Sequence, residues 1–222
     1  MPSGIQRRRT HARERSGSNY ERRRAELIEA AARCFRTHGF SGTHFAEVAT
    51  EIGLDRASLY YYVGGKQELF REVVQESFVR AVDDTEGLLR SPAGGPERVR
   101  ALVQRLIAAC VDGYPFLSVY YQENVDHVAS QDPGWAAEMR RLEERQARAV
   151  EQIVQAGLDD GTLRSAAPAD VVARGILGFV LSTCRWYEPG RAGDDGAATA
   201  QALGTAYADL LLAGLAGTAR AG

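Results

Sequence analysis

Apolar residues return every three or four positions along most of this chain, the period of helices that bury one face. Leu27, Ile28, Ala31, Cys34 and Phe35 mark a first helix over about 19–38, and Gly39 supplies its stop. Phe45, Val48, Ala49 and Ile52 mark a second over about 44–52, and Gly53 permits a turn. Leu59 and Val63 anchor a third over about 56–63, which Gly64-Gly65 ends. A fourth starts near Lys66 and runs through Leu69, Phe70, Val73, Val74, Phe78 and Val82 to about residue 90.

The clearest break is Ser91-Pro92-Ala93-Gly94-Gly95-Pro96. Helical patterns follow over about 97–112, 115–130, 133–160, 168–188 and 195–218, punctuated by Pro115, Pro133, Gly161, Pro168 and Pro189-Gly190. No segment alternates as a strand does. The expected fold is all-α, with about nine helices.

Two short helices joined by a glycine turn, with a third in front, have the shape of a helix-turn-helix, whose second helix enters the major groove. The charge supports this. Residues 1–72 carry 13 basic and 9 acidic side chains, and the remainder 14 and 20. A basic end on an acidic body is the asymmetry expected where one end meets phosphate. Residues 1–18 hold Arg7-Arg8-Arg9, Arg13 and Arg15 with almost no apolar content. They read as a disordered basic arm, either a solvated tail or an added contact to duplex DNA. The domains expected are thus the arm at 1–18, the helix-turn-helix at 19–65, and a ligand-binding and dimerisation body at 66–222.

The third helix offers Arg56, Ala57, Tyr60, Tyr61 and Tyr62. Arginine can bond a guanine through two contacts, and an alanine methyl or a tyrosine ring can pack on a thymine methyl. Tyrosine hydroxyls and the ammonium of Lys66, the only lysine of the chain, suit phosphate oxygens. Lys66 also falls in the first turn of the fourth helix, whose amides attract anions. Three consecutive tyrosines cannot all face one core.

These residues resemble the TetR family of one-component repressors. The likeness covers about 22–72 and rests on Ala30, Phe35, Gly39, Thr43, Phe45, Val48-Ala49, Gly53, Ser58-Leu59-Tyr60 and Gly65-Lys66-Gln67-Glu68-Leu69. It implies that Thr43, His44, Tyr60, Tyr62 and Lys66 touch phosphates, and that Ala46, Arg56, Ala57 and Tyr61 read bases. It also implies a homodimer on a palindromic double-stranded operator, released when a small ligand enters the body. His44 stands where the family often has threonine. Histidine caps helices poorly, so Thr43 is expected to cap the second helix.

In the body, aromatic and apolar residues crowd one segment. Tyr114, Phe116, Leu117, Tyr120, Tyr121, Asn124, Trp135, Phe179 and Trp186 are the candidate ligand contacts, and ordinary core packing is the competing account of each. The string Cys184-Arg185-Trp186-Tyr187-Glu188-Pro189-Gly190 is similar to one in a TetR subgroup that responds to acyl-CoA thioesters in fatty-acid and steroid degradation. That resemblance implies an acyl-CoA or another small apolar effector. The alternatives are a multidrug-type sensor of bulky aromatic or cationic compounds controlling an efflux gene, which would draw on Glu123, Asp126, Glu138 and Glu143, and a redox sensor acting through cysteines. The last two helices are rich in Ala, Gly and Leu, and the resemblance implies that they pair with a second copy.

The three cysteines, Cys34, Cys110 and Cys184, show no CxxC and no neighbouring histidine at ligand spacing. The expectation is buried small hydrophobes, with neither a disulfide nor a zinc site. No metal or cofactor is expected. Catalysis is not expected either, because no HExxH, phosphate-binding glycine loop or nucleophile-base arrangement is present. The chain carries no apolar run of spanning length and no signal-type apolar stretch near its arginines, so a cytoplasmic place is expected.

Overall fold

The computed structural model describes residues 17–122, 132–189 and 196–215, and every regular element among them is helical. The chain forms α1 (Gly17–Gly42), α2 (Phe45–Glu51), α3 (Arg56–Tyr62) and α4 (Lys66–Gly87), closed by a 3-10 turn at Leu88–Arg90. The body continues with α5 (Gly95–Asp112), α6 (Phe116–Gln122), α7 (Pro133–Asp159), α8 (Ala169–Leu181), α9 (Thr183–Trp186) and α10 (Gly196–Leu215). Gly17 and Ser18, expected in the arm, belong to α1, and the rest of the arm lies outside the described residues. The helix expected over 168–188 is divided at Ser182. Of the one expected over 115–130, residues 123–131 lie outside the described residues.

Helix ends follow local chemistry. Gly39 kinks α1 with φ 72°, a conformation costly for any residue with a Cβ. At the end of α2, Gly53 N donates to Thr50 O (3.1 Å) and Leu54 N to Ala49 O (2.9 Å), while Gly53 takes φ 67°. This is a Schellman stop, and it sets the turn into α3. Asp55 opens α3 by accepting from Ser58 N and from Ser58 Oγ, both at 2.8 Å. These bonds hold the Asp55 carboxyl below its ordinary pKa.

Leu27, Phe35, Val48, Leu59, Val63, Leu69 and Phe70 form the buried centre of the first three helices and the start of α4. The same core continues along α4 through Phe78 to Leu117, Tyr120, Trp135 and Met139 of α6 and α7. A second core joins α5, α7, α8 and α10. There α10 presents Ala200, Gly204 and Ala208 toward its neighbours. A Cβ on Gly204 would lie 3.1 Å from Gln104 Cα of α5, so a small residue lets the two helices approach closely. No helix among the described residues is long and apolar enough to cross a membrane.

Candidate nucleic-acid interface and effector body

The helix-turn-helix is clamped from behind. Val48, Ala49, Leu59 and Val63 are buried, which fixes α2 and α3 at one mutual angle. Outward, His44, Ala46, Ala57 and Tyr61 are exposed, with Tyr60 and Tyr62 half-buried beside them. Arg56 begins α3; its side chain lies outside what is described. The three tyrosines diverge, as their helical spacing requires. The Tyr60 ring lies 5.0 Å from Phe45. Tyr62 stacks on Tyr20 of α1 at 5.2 Å. Tyr61 meets both Tyr20 and Tyr62 edge-on and stays 39% exposed. Tyr20 is only 6% exposed. Its bracing role is missed in the sequence because an isolated tyrosine near a polar helix start gives no periodic signal.

Two expected phosphate contacts are placed differently. Thr43 is 1% exposed, and its hydroxyl donates to Gly39 O at 2.8 Å. It neither caps α2 nor reaches outward, because it is used to close the kink of α1. His44 is the N-cap residue of α2, and its backbone N–H donates to Glu47 Oε2 at 3.2 Å, the backbone half of a capping box. Lys66 turns its ammonium to the carbonyls of Phe40 (2.7 Å), Thr43 (3.1 Å) and Ser41 (3.3 Å), and lies over the Phe40 ring at 4.6 Å. A helix end presents carbonyl oxygens that favour a cation. The side chain thus caps the end of α1, while its backbone opens α4 beside a groove lined by Ser41, Gly64, Gly65, Gln67 and Arg71.

Cys34 packs behind the module and donates to Glu51 Oε2 at 3.1 Å, while Arg33 Nε donates to Glu51 Oε1 at 2.7 Å. Burial, reinforced by the Glu51 carboxylate, pushes the Cys34 thiol up to about 12. It is a protonated, unreactive thiol.

In the body the expected ligand contacts separate into groups. Leu117, Tyr120 and Trp135 are buried in one cluster, with Phe116 and Tyr121 packed at its edge. Tyr120 stacks on Phe78 at 4.8 Å and its hydroxyl donates to Glu143 Oε1 at 2.6 Å. Burial, then that carboxylate, raises the hydroxyl's pKa well above the tyrosine range. Trp135 lies edge-on to Phe70 at 5.8 Å. Tyr114 stands apart, near Arg36 of α1 and edge-on to Tyr187. Phe179 is exposed and stacks on Tyr207 of α10 at 4.5 Å, and Trp186 is exposed. Both fall outside the buried cluster because α8 and α9 point these rings away from α6. Asn124 lies outside the described residues, as do Glu123, Asp126 and His127.

A cleft of about 570 Å³ opens between α6, α7 and α8. Tyr121, Leu177 and Leu181 supply apolar wall, and Arg140, Arg148 and Arg174 share the lining with Glu143, Glu144 and Glu151, Arg148 lying 3.6 Å from Glu144. Ser118 Oγ, Thr183 Oγ1 and Trp135 Nε1 are buried without a hydrogen-bond partner among the described residues. Such atoms are few in folded proteins and call for one.

Cys110 of α5 and Cys184 of α9 are joined as a disulfide, their Cα atoms 5.1 Å apart. This overturns the reading of all three cysteines as separate hydrophobes. Spacing could not reveal it, because the partners are 74 residues apart.

Residues 27–73 match the model of the bacterial regulatory proteins of the tetR family, and residues 92–215 match a tetracyclin repressor-like C-terminal domain. The HTH-type transcriptional repressor KstR2 of Mycobacterium tuberculosis is 28% identical over 193 residues, 87% of this chain and 92% of KstR2. The solved structure of the ketosteroid transcriptional regulator KstR2 of the same organism superposes with a TM-score of 0.78 at 26% identity, covering 88% of this chain and 96% of that one. AibR, solved with isovaleryl coenzyme A and operator DNA, shares the fold at a TM-score of 0.68 and 19% identity, covering 86% and 98%.

Proposed function

This chain belongs to the tetR family of bacterial regulatory proteins, non-enzymatic transcriptional repressors that bind operator DNA as dimers, and from that premise we propose that it is released from its operator by an acyl thioester of coenzyme A. The reader is residues 19–65, and the body begins at 66. α3 enters the major groove, where Arg56, Ala57 and Tyr61, with Ala46 of α2, meet base edges. His44, Tyr60, Tyr62 and the backbone at Lys66 meet phosphates. The observation that carries this assignment is the outward strip His44, Ala46, Ala57 and Tyr61 on a helix pair fixed by a fully buried back face. The Thr43 side chain and the Lys66 ammonium hold the scaffold of that strip.

The effector reading rests on the cleft between α6, α7 and α8. A thioester of coenzyme A needs cations for its phosphates and an apolar wall for its acyl chain. Arg140 and Arg174 stand beside Tyr121, Leu177 and Leu181 there, with Arg148 next to Glu144 and with Glu143 and Glu151 on the same wall. AibR, of the same fold, holds isovaleryl coenzyme A. The cation-sensing alternative has less support. Glu143 already accepts from Tyr120, and Glu138 from Gln75 of α4.

Dimerisation runs through α8 and α10. Leu210 is 65% exposed and Val171 52%. The one charged side chain of α10, Asp209, is paired with Arg100. An apolar outer face of this kind is covered by a second copy. Ligand binding that favours a different spacing of the two readers shifts the population away from the operator-competent form.

The test is a titration of protein on labelled operator, followed by an acyl-CoA, the matching free acid and CoA alone. Release by the thioester only is expected. Release by the free acid, or by none of the three, would refute the effector assignment.

A further inference from the structure

The described part of the string 184–190, residues 184–189, finds a place outside the cleft. After the break at Ser182, α9 turns once and delivers Glu188 to Arg36 of α1 and Tyr187 to Tyr114. Glu188 Oε1 accepts from an Arg36 terminal nitrogen at 2.9 Å. Arg36 also lies over the Tyr114 ring at 5.6 Å, and Tyr114 meets the buried Tyr187 edge-on at 6.1 Å. Only 13% of the Arg36 side chain is exposed. The body therefore touches the reader along α4, along α6 and through this strap. The strap's root is Cys184, bonded to Cys110 near the end of α5.

We propose that the Cys110–Cys184 pair is a redox lock on this last contact, with residues 183–188 serving as a strap that holds helix α1 through Glu188 and Arg36. α9 is one turn, in which Arg185 N donates to Ser182 O and Tyr187 N to Thr183 O, and it packs on α5 and α6 with Thr183 and Cys184 buried. A single turn gains almost nothing from helical cooperativity. With the disulfide closed, the turn is fixed covalently to α5, and Glu188 is presented to Arg36. With it open, α9 is held by that packing alone, and the hold on α1 weakens. Both sulfurs are solvent-excluded, so exchange proceeds through local opening of α9.

The chemistry balances in both directions. A dithiol reduces the pair by giving two electrons and two protons, and closes to its own disulfide while Cys110 and Cys184 become thiols. A hydroperoxide restores the bond. One thiolate attacks the terminal peroxide oxygen, leaving a sulfenic acid and releasing the alcohol. The second sulfur then displaces that oxygen as water. Cys34, held protonated by burial and by Glu51, takes no part.

The lock rests on the repressor reading only for its consequence at the operator, so the test reads the strap without DNA. Full-length protein is treated with tert-butyl hydroperoxide or with dithiothreitol, denatured, and alkylated. One modified cysteine is expected in the oxidised sample and three in the reduced one; three in both would overturn the pair. Hydrogen exchange of amides 33–40 is then measured on native samples. At least a fivefold slowing in the oxidised form is expected, absent in Cys184→Ser. The slowing should also be lost in Glu188→Gln, whose disulfide still forms. Equal exchange in both redox states of the unaltered protein, or a redox effect that survives Glu188→Gln, would overturn the strap. Operator binding lost in both redox states would count against the repressor reading instead, and leave the exchange result standing.

Discussion

The ammonium of Lys66 lies 2.7 Å from the carbonyl oxygen of Phe40, so the first residue of α4 caps the last turn of α1. The link joins two helices across the module that carries the reader, and it also serves the carbonyls of Ser41 and Thr43.

Lys66→Met removes the cation from three carbonyls and leaves a half-buried helix end uncapped. A stability loss of about 1.5–3 kcal/mol is expected, the scale of hydrogen bonds to a charged group. Chemical denaturation measures it. Operator affinity should fall with it, and Lys66→Arg should recover only part of both, because a planar fork does not replace a compact ammonium.

Tyr61→Ala separates folding from recognition. The side chain is 39% exposed, so stability should move by no more than about 1 kcal/mol. Affinity for the operator should drop about 10- to 100-fold, with little change for unrelated duplexes. Fluorescence anisotropy on both duplexes provides the comparison.

The pattern of apolar positions placed α1 to α4 and the Gly53 stop within a few residues, whereas Gly39, expected to end α1, kinks it before its last turn at Gly42. Periodicity reports which face of a helix is buried, and Val48, Ala49, Leu59 and Val63 follow directly from it. It does not report against what. Lys66 capping a helix 26 positions away, Thr43 turned inward, Tyr20 under Tyr61 and Tyr62, and Cys110 meeting Cys184 are all choices of partner made by tertiary packing. The same limit explains the ligand candidates. An aromatic residue signals burial of a large area, and Phe179 and Trp186 carry that signal while facing away from the α6 cluster.

Asp55 sets a pH dependence for the start of α3. Its carboxyl is held below the ordinary value by Ser58, so its stabilising effect is present above the unfolded-state pKa, about 3.9. It is lost as pH falls through the lower folded-state value. Asp55→Ala should therefore melt below the unaltered protein at neutral pH. The gap should begin to close only below about pH 4, as followed by thermal scans across pH.

Tyr120→Phe removes the hydroxyl that joins α6 to Glu143 of α7. The Phe78 stack survives, so the core stays filled, and a loss of about 1–3 kcal/mol is expected from the bond to the carboxylate. Glu143 lines the cleft, and without the hydroxyl its carboxylate charge is left unscreened there. Acyl-CoA should then produce a smaller rise in melting temperature than in the unaltered protein.

Leu210→Arg places a charge on the outer face of α10. Because Leu210 is 65% exposed in one protomer, the folded chain should persist while the dimer dissociates. Light scattering should give the mass of a single chain, and operator affinity should fall at least 100-fold because two readers must act together.

On the proposed function, α3 reads a specific duplex on behalf of a body that senses a thioester. The most direct measurement selects duplexes from a random pool with the full-length protein, then compares the enriched sequence with an unselected duplex at fixed salt, with and without an acyl-CoA. The account predicts a palindromic sequence bound at least about 10³-fold more tightly than the unselected duplex, with that preference lost on adding the thioester and kept on adding CoA. Equal affinity for both duplexes, or a preference that no acyl-CoA alters, would contradict it.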